Sequence, residues 1–277
     1  QGKGRREGVV TEILQRERTQ FVGTIEMHDK FGFLIPDNQK SGVKIYIPKE
    51  KLNNAKNTDK VIAKITVWPK SAEFPFGEVL EILNSKSPND TEMISILLGQ
   101  GIEYKFPQEV VASAELVTME LDQEEIKKRR DFRSITTFTI DPIDAKDFDD
   151  ALSIQKLENG NIEVGVHIAD VSHYVVENSV MDKEAKQRGN SVYLVDRVVP
   201  MLPEQLSNFA CSLRPNEDKF SFSAVFELDE TGKIYNEWFG KTVIHSDRRF
   251  SYEEAQEIIE GKEGDFKNEI LLLDKIA

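Results

Sequence analysis

Residues 135–154 read ITTFTIDPIDAKDFDDALSI, and this stretch decides how the second half of the chain folds. It opens with an apolar run, "ITTFTI", that reads as a strand ending at Asp141-Pro142, because proline lacks the N–H that a strand ladder needs. It closes on a second apolar run, "ALSI". Between the two lie Asp141, Asp144, Asp147, Asp149 and Asp150. Carboxylates so closely spaced raise one another's pKa and destabilise the fold unless a cation neutralises them. A solvated acidic loop is the plain alternative. Against it, Ile140, Phe148, Ala151, Leu152 and Ile154 interleave with the acids and place the segment beside a core. Acids on a half-buried loop point to a hard cation, Mg²⁺ or Mn²⁺, held through oxygen. A calcium-binding EF-hand fails, since counting from Asp141 puts Ile143, Lys146 and Leu152 where an acid, a Gly and a Glu are needed. What remains is the pattern of phosphoryl chemistry, in which clustered Asp hold one or two divalent ions against a phosphate.

Other chemical signatures are missing. The chain has no P-loop, no HExxH and no GxSxG, and the GxGxxG begun by Gly99 and Gly101 has Tyr104 at its third glycine position. His28, His167, His173 and His245 are scattered. In "IEVGVHIADV" the residues Ile162, Val164, Val166 and Ile168 share one face of a half-buried strand, which leaves His167 on the other as a structural or surface residue.

Downstream of the acids the pattern is α+β. "SVMDKEAKQRG" reads as a helix opened by Ser179 and closed by Gly189. "FSFSAVFELDETGKI" alternates Phe220, Phe222, Ala224, Phe226 and Leu228 before a turn at 230–232. "SYEEAQEIIEG" carries a capping box, Ser251 with Glu254, and stops at Gly261. The pattern is still helical at Ala277, so this domain is expected to be incomplete at its C-terminus.

Upstream, "QFVGTIEM", "FGFLIP", "VKIYIP", "KVIAKITVW" and "FGEVLEIL" read as five short strands of a small barrel. Phe31 and Phe33 fall on one face of a strand, and Tyr46 is flanked by Lys44 and Lys49. Exposed aromatics beside lysine suit single-stranded nucleic acid, the rings stacking on bases and the ammonium groups attracting phosphate. The same rings could instead fill the core, since alternation lets only one of the sets Phe31/Phe33 and Gly32/Leu34 face inward. Between barrel and acidic region, "NDTEMISILLGQG" reads as a helix capped at Asn89 or Asp90 and stopped at Gly99 or Gly101. "LDQEEIKKRRDF" reads as a charged helix or connector. At the start, "EGVVTEILQ" behind a basic "KGRRE" looks like the last strand of a preceding domain.

The 277 residues suit two domains and a connector. With 39% hydrophobic and 31% charged residues and no apolar run of about 18, the chain reads as soluble, with no membrane partner. Its N-terminus lacks a signal-peptide core. Cys211, the single cysteine, excludes an internal disulfide or multi-Cys zinc site and favours a reducing, cytoplasmic setting. The net charge of −13 hides an asymmetry: residues 1–86 carry 15 Lys/Arg against 11 Asp/Glu, and the rest carries 21 against 38. Two regions with different tasks are implied, and a local nucleic-acid groove stays open.

These motifs also carry a resemblance. "GTIEMHDKFGFLIPD" with "VKIYIP" resembles a cold-shock (OB-fold) domain. "RRDFRSITTFTIDPIDAKDFDDALS", then "VHIADVSHYV", "EAKQRGNSVYL" and "VVPMLPEQLSNFACSL", resembles the catalytic RNB domain of the ribonuclease II/ribonuclease R family, nearer its ribonuclease R branch. The resemblance implies a multidomain chain: 1–19 ending one cold-shock domain, 20–84 forming an OB barrel, 85–129 a partly helical linker, and 130–277 the N-terminal part of an α+β RNB domain. It implies a hydrolytic exoribonuclease working 3′→5′ on single-stranded RNA, with Mg²⁺ or Mn²⁺, as a monomer, releasing nucleoside 5′-monophosphates. The family's catalytic and metal-site aspartates map onto Asp141, Asp147, Asp149 and Asp150, leaving Asp144 without a role. A tyrosine that stacks on the 3′-terminal nucleotide and sets product length maps onto Tyr193. Arg and Glu residues that complete the family's catalytic site, and its C-terminal S1 domain, lie outside this chain, so the fragment by itself is expected to be inactive if they are essential. Two rivals stay open: a non-catalytic RNA-binding or chaperone protein with an inactive nuclease domain, and a different metal-dependent phosphotransferase.

Overall fold

The computed structural model describes residue 11 and residues 20–37, 43–83 and 87–277. The strand expected within residues 1–19 lies outside the described residues. The chain divides into two compact units, residues 1–105 and 106–277.

The first unit is a closed barrel of β1 (Gln20–His28), β2 (Phe31–Pro36), β3 (Ile45–Pro48), β4 (Lys60–Val67) and β5 (Phe76–Ile82), paired in the order β1-β2-β3-β5-β4. Alternation along each strand sorts the side chains. Ile25, Leu34, Ile45, Ile47, Val61, Ala63 and Val79 close the interior. Thus Gly32 and Leu34 face inward and Phe31 and Phe33 outward, which answers the question alternation left open. Gly77 is required where β5 crosses close to its neighbours: a Cβ there would lie 2.9 Å from the Lys64 carbonyl oxygen and 2.7 Å from Ile45. Helix α1 (Pro88–Gly99) lays Ile94 and Leu98 against Val22, Ile62 and Leu83 of the barrel. Its N-cap is Ser87, not Asn89 or Asp90. Ser87 accepts from the Asp90 N–H, and Pro88 takes the first helical position, where its missing N–H costs nothing.

The second unit is built on a seven-stranded sheet. Its strands are β6 (Arg130–Asp131), β7 (Thr137–Asp141), β8 (Asp150–Lys156), β9 (Ile162–Ala169), β12 (Asp218–Leu228), β13 (Ile234–His245) and β14 (Arg248–Ser251). They lie in the order β14-β7-β8-β9-β12-β13-β6, with the β14-β7 and β13-β6 pairs parallel. One face packs on α2 (Gln108–Glu115), α5 (Val180–Arg188) and a π-helix (Gln205–Ala210), through Val110, Ala114, Met181 and Leu206 meeting Phe132, Ala151, Ala169, Val225 and Ile244. The other face packs on α6 (Tyr252–Ile259) and α7 (Lys267–Ile276), through Ala255, Ile258 and Ile270 meeting Phe138 and Phe250. Short elements complete the unit: α3 (Gln123–Ile126), α4 (Val171–Tyr174) and the hairpin β10 (Val192–Tyr193) and β11 (Val198–Val199). The stretch expected as a partly helical linker is helical and packed, α1 onto the barrel and α2 into the core of the second unit.

The expected caps are present. Ser179 caps α5, which ends at Gly189 with φ +77°, and Ser251 and Glu254 form the capping box of α6. β9 departs from simple alternation. Ile162 and Val164 are buried with Leu228, but Ile168 on the same face is 48% exposed, while His167 on the other is fully buried. The helices cover different halves of the two faces, so the buried phase switches at Gly165. A Cβ on Gly165 would lie 2.5 Å from Ser153 Oγ and 2.6 Å from His167 Nε2, so only glycine admits the His167 ring. The imidazole is held by Ser223 Oγ at Nδ1 (2.6 Å) and Ser153 Oγ at Nε2 (2.8 Å). His167 is therefore structural, not a surface residue. Among the described residues no helix is long and apolar enough to cross a membrane.

Candidate active site

The acidic segment bridges two adjacent antiparallel strands. Asp141 ends β7, Asp150 begins β8, and residues 142–149 join them. The strands therefore fix both ends of the cluster. Asp141 is 7% exposed, and its Oδ2 is buried without a hydrogen-bond partner. Burial pushes the Asp141 carboxyl above the usual carboxylate range; Asp150 and Asp147 push the same way, against the Thr139 hydroxyl and the Arg249 guanidinium. Asp149 opens to solvent, yet enough protein surrounds it that desolvation is again the largest upward push, followed by Asp147, Asp150 and Asp141. Asp141, Asp147, Asp149 and Asp150 thus act on one another as a single electrostatic group. Asp144 is exposed on the loop and is not among the charges that act on either carboxyl.

Tyr193, on the β10–β11 hairpin, belongs with this group. Its ring is 69% exposed, and its phenol is pushed up by partial burial and then by Asp147 and Asp149. A flat, accessible ring beside the acids can stack on a base.

Among the described residues no three His, Cys, Asp or Glu side chains converge closely enough to hold an ion as they stand. The chemistry of the group nonetheless fits one. It is all oxygen, it includes a buried oxygen with no partner, and burial together with neighbouring carboxylates raises Asp141 and Asp149, a cost that a bound cation would offset.

Two residues at the acidic loop have no local signal in the sequence. Arg249, on β14, donates to the Pro142 carbonyl, and its guanidinium lies 5.7 Å from the Phe148 ring centroid. Ser212 contacts the loop backbone on both sides of Asp147. Both are brought in by strand order and chain return over 60 residues or more.

On the barrel, Phe31, Phe33 and Tyr46 form one aromatic surface, with ring centroids 4.9 to 5.9 Å apart. It extends to His28, stacked on Phe31 at 4.7 Å, and to Phe74 and Phe76, at 5.1 Å from Phe33 and 5.0 Å from Tyr46. The spacing of Phe74 and Phe76 in "EFPFGE" repeats that of Phe31 and Phe33 and could have revealed them. Lys44 lies over Phe33 at 5.7 Å while paired with Glu26.

Comparison with known proteins bears on the two units and their family. The model of the RNB domain matches residues 129–277, and that of the cold shock domain matches residues 33–107. The chain is 41% identical to ribonuclease R 1 of Lactococcus lactis over 98% of its own length and 34% of that protein's. It is similar to a solved structure of Mycoplasma genitalium RNase R in complex with double-stranded RNA, with TM-score 0.80, 27% identity, and 96% and 47% of the two chains covered. Yeast Ssd1, a pseudonuclease, is also similar, with TM-score 0.67, 25% identity, and 97% and 34% covered. The chain spans about a third of the length of the curated relatives it matches. A barrel and an acid-bearing sheet, each matched by its own family model and both spanned by relatives at this identity, place the chain in the ribonuclease II/ribonuclease R family, whose mark is the RNB domain.

Proposed function

We propose that this chain supplies an RNA-binding barrel and the acidic half of the catalytic site of a hydrolytic 3′→5′ exoribonuclease acting on single-stranded RNA. The observation that carries it is the group of four aspartates at the β7–β8 junction, with a buried unpartnered oxygen on Asp141 and an exposed Tyr193 ring beside Asp147 and Asp149. Asp141, Asp147, Asp149 and Asp150 would hold Mg²⁺ or Mn²⁺, which supplies Lewis acidity toward a phosphate and offsets the charge that builds up during hydrolysis.

The remaining work falls to side chains. The aromatic surface of the barrel receives bases without reading their sequence, at about 1–3 kcal/mol per stacked base. Tyr193 stacks on the terminal nucleotide and so sets which phosphate lies against the acids. Asp141, the most buried of the four, anchors the group, and Asp149, which like Asp150 is open to solvent, is assigned to orient an attacking water. Repulsion between the acids and a polyanion keeps RNA away unless cations accompany it, which couples substrate binding to the metal.

The experiment is degradation of 5′-end-labelled single-stranded RNA by the full-length protein with Mg²⁺ or with EDTA. A ladder that shortens from the 3′ end only with metal is the expected result. The likeness to a pseudonuclease favours a second reading, RNA binding without hydrolysis, and bound but intact RNA under both conditions would establish it in place of the first.

A further inference from the structure

The residues that carry Asp147 and Asp149 form no regular structure, yet four backbone groups between Lys146 and Asp149 are held by hydrogen bonds. Ser212 Oγ accepts from the Phe148 N–H at 2.9 Å and donates to the Lys146 carbonyl at 3.0 Å, so one hydroxyl spans Asp147. The Leu213 N–H donates to the Phe148 carbonyl at 2.8 Å, and the Ala169 N–H to the Asp149 carbonyl at 2.9 Å. Ser212 is fully buried. It directly follows the π-helix and Cys211, and the Lys219 ammonium donates to the Phe209 carbonyl at 2.6 Å, tying the end of that helix to β12. π-Helical turns are rare and costly, and they occur where a residue must be set in a particular place. Here the turn delivers a hydroxyl to the back of the acidic loop.

We propose, resting on the reading of the acidic loop as a cation site, that Ser212 is a positioning residue that fixes Asp147 and Asp149 for metal binding by bracketing the backbone between Lys146 and Phe148. Ser212 touches neither RNA nor metal; it acts through the main chain. Without its hydroxyl the Phe148 N–H and the Lys146 carbonyl lose their partner together, and the loop gains alternative backbone arrangements that spread the carboxylates over more positions. Outer groups of this kind are worth about 10- to 100-fold in metal affinity.

The test compares wild type, Ser212→Ala and Ser212→Cys in the full-length protein, by Mn²⁺ titration and by hydrogen exchange of the segment 144–149. Cysteine fills the same space with a poor hydrogen-bonding group, so a space-filling role is met by it and a bracketing role is not. Expected are Mn²⁺ binding weaker by about tenfold or more in both variants and faster exchange confined to that segment, with protection of β8 and β12 retained. Should Ser212→Ala fail to fold, the comparison of Ser212→Cys with wild type decides by the same criteria. Wild-type Mn²⁺ affinity in a folded variant, or unchanged exchange of the segment, overturns the role of Ser212 alone. No Mn²⁺ uptake by the wild-type protein overturns the cation reading and the role of Ser212 with it.

Discussion

Asp141 holds the most informative atom of the chain, a buried carboxylate oxygen with no partner beside three further aspartates. Such a group must be neutralised, by a proton, by a counter-charge such as the Arg249 guanidinium, or by a cation bound from outside the chain. In the proposed function Tyr193 gives the direction of the substrate. Its Tyr193→Ala variant is expected to lose one stacking contact, about 1–3 kcal/mol, and to leave a longer final oligonucleotide, read on a denaturing gel; an unchanged product length would remove Tyr193 from this role. The four aspartates were legible because they are close in sequence, and Asp144 could be set aside only through the family resemblance. Arg249 and Ser212 were not legible. Each reaches the loop from a distant segment, and neither arginine nor serine carries a spacing that betrays a contact made by the fold.

Strand and helix patterning carried further than single side chains. All five barrel strands and the caps of α5 and α6 follow from alternation, turn residues and capping chemistry, which are local. β9 shows where local reasoning stops. Its pattern of Ile162, Val164, Val166 and Ile168 names one face, but which half of each face is covered depends on α5, α6, α7 and the π-helix. Burial of His167 on the opposite face has a thermodynamic consequence. Desolvation, with a smaller contribution from Arg130, lowers its pKa from 6.5 to about 4. Above about pH 6.5 the ring is neutral in both folded and unfolded chains and contributes no slope. As the pH falls from there toward 4 the unfolded chain takes up the proton first, so stability drops, by about 2 to 3 kcal/mol between pH 7 and pH 4.5. Urea melts at the two values should show this loss in the wild type and its absence in His167→Gln. An equal acid slope in both proteins would assign it to other groups.

The two units differ in chemistry. The barrel offers a surface of aromatic rings, and the second unit offers clustered acids under a net negative charge. The charge asymmetry along the sequence is consistent with two compact units, whereas the packing of α1 onto the barrel and of α2 into the second unit did not show in composition, because both helices expose acidic residues. If, as proposed, RNA is bound on one chemistry and cut with another, the second can be lost without the first. The most direct measurement is therefore Asp149→Asn in the full-length protein, with turnover of 5′-labelled single-stranded RNA in Mg²⁺ and RNA affinity determined side by side. Turnover lower by more than about 100-fold with RNA affinity retained is the predicted result; undiminished turnover, or equal loss of turnover and binding, would contradict a catalytic role for the acidic group.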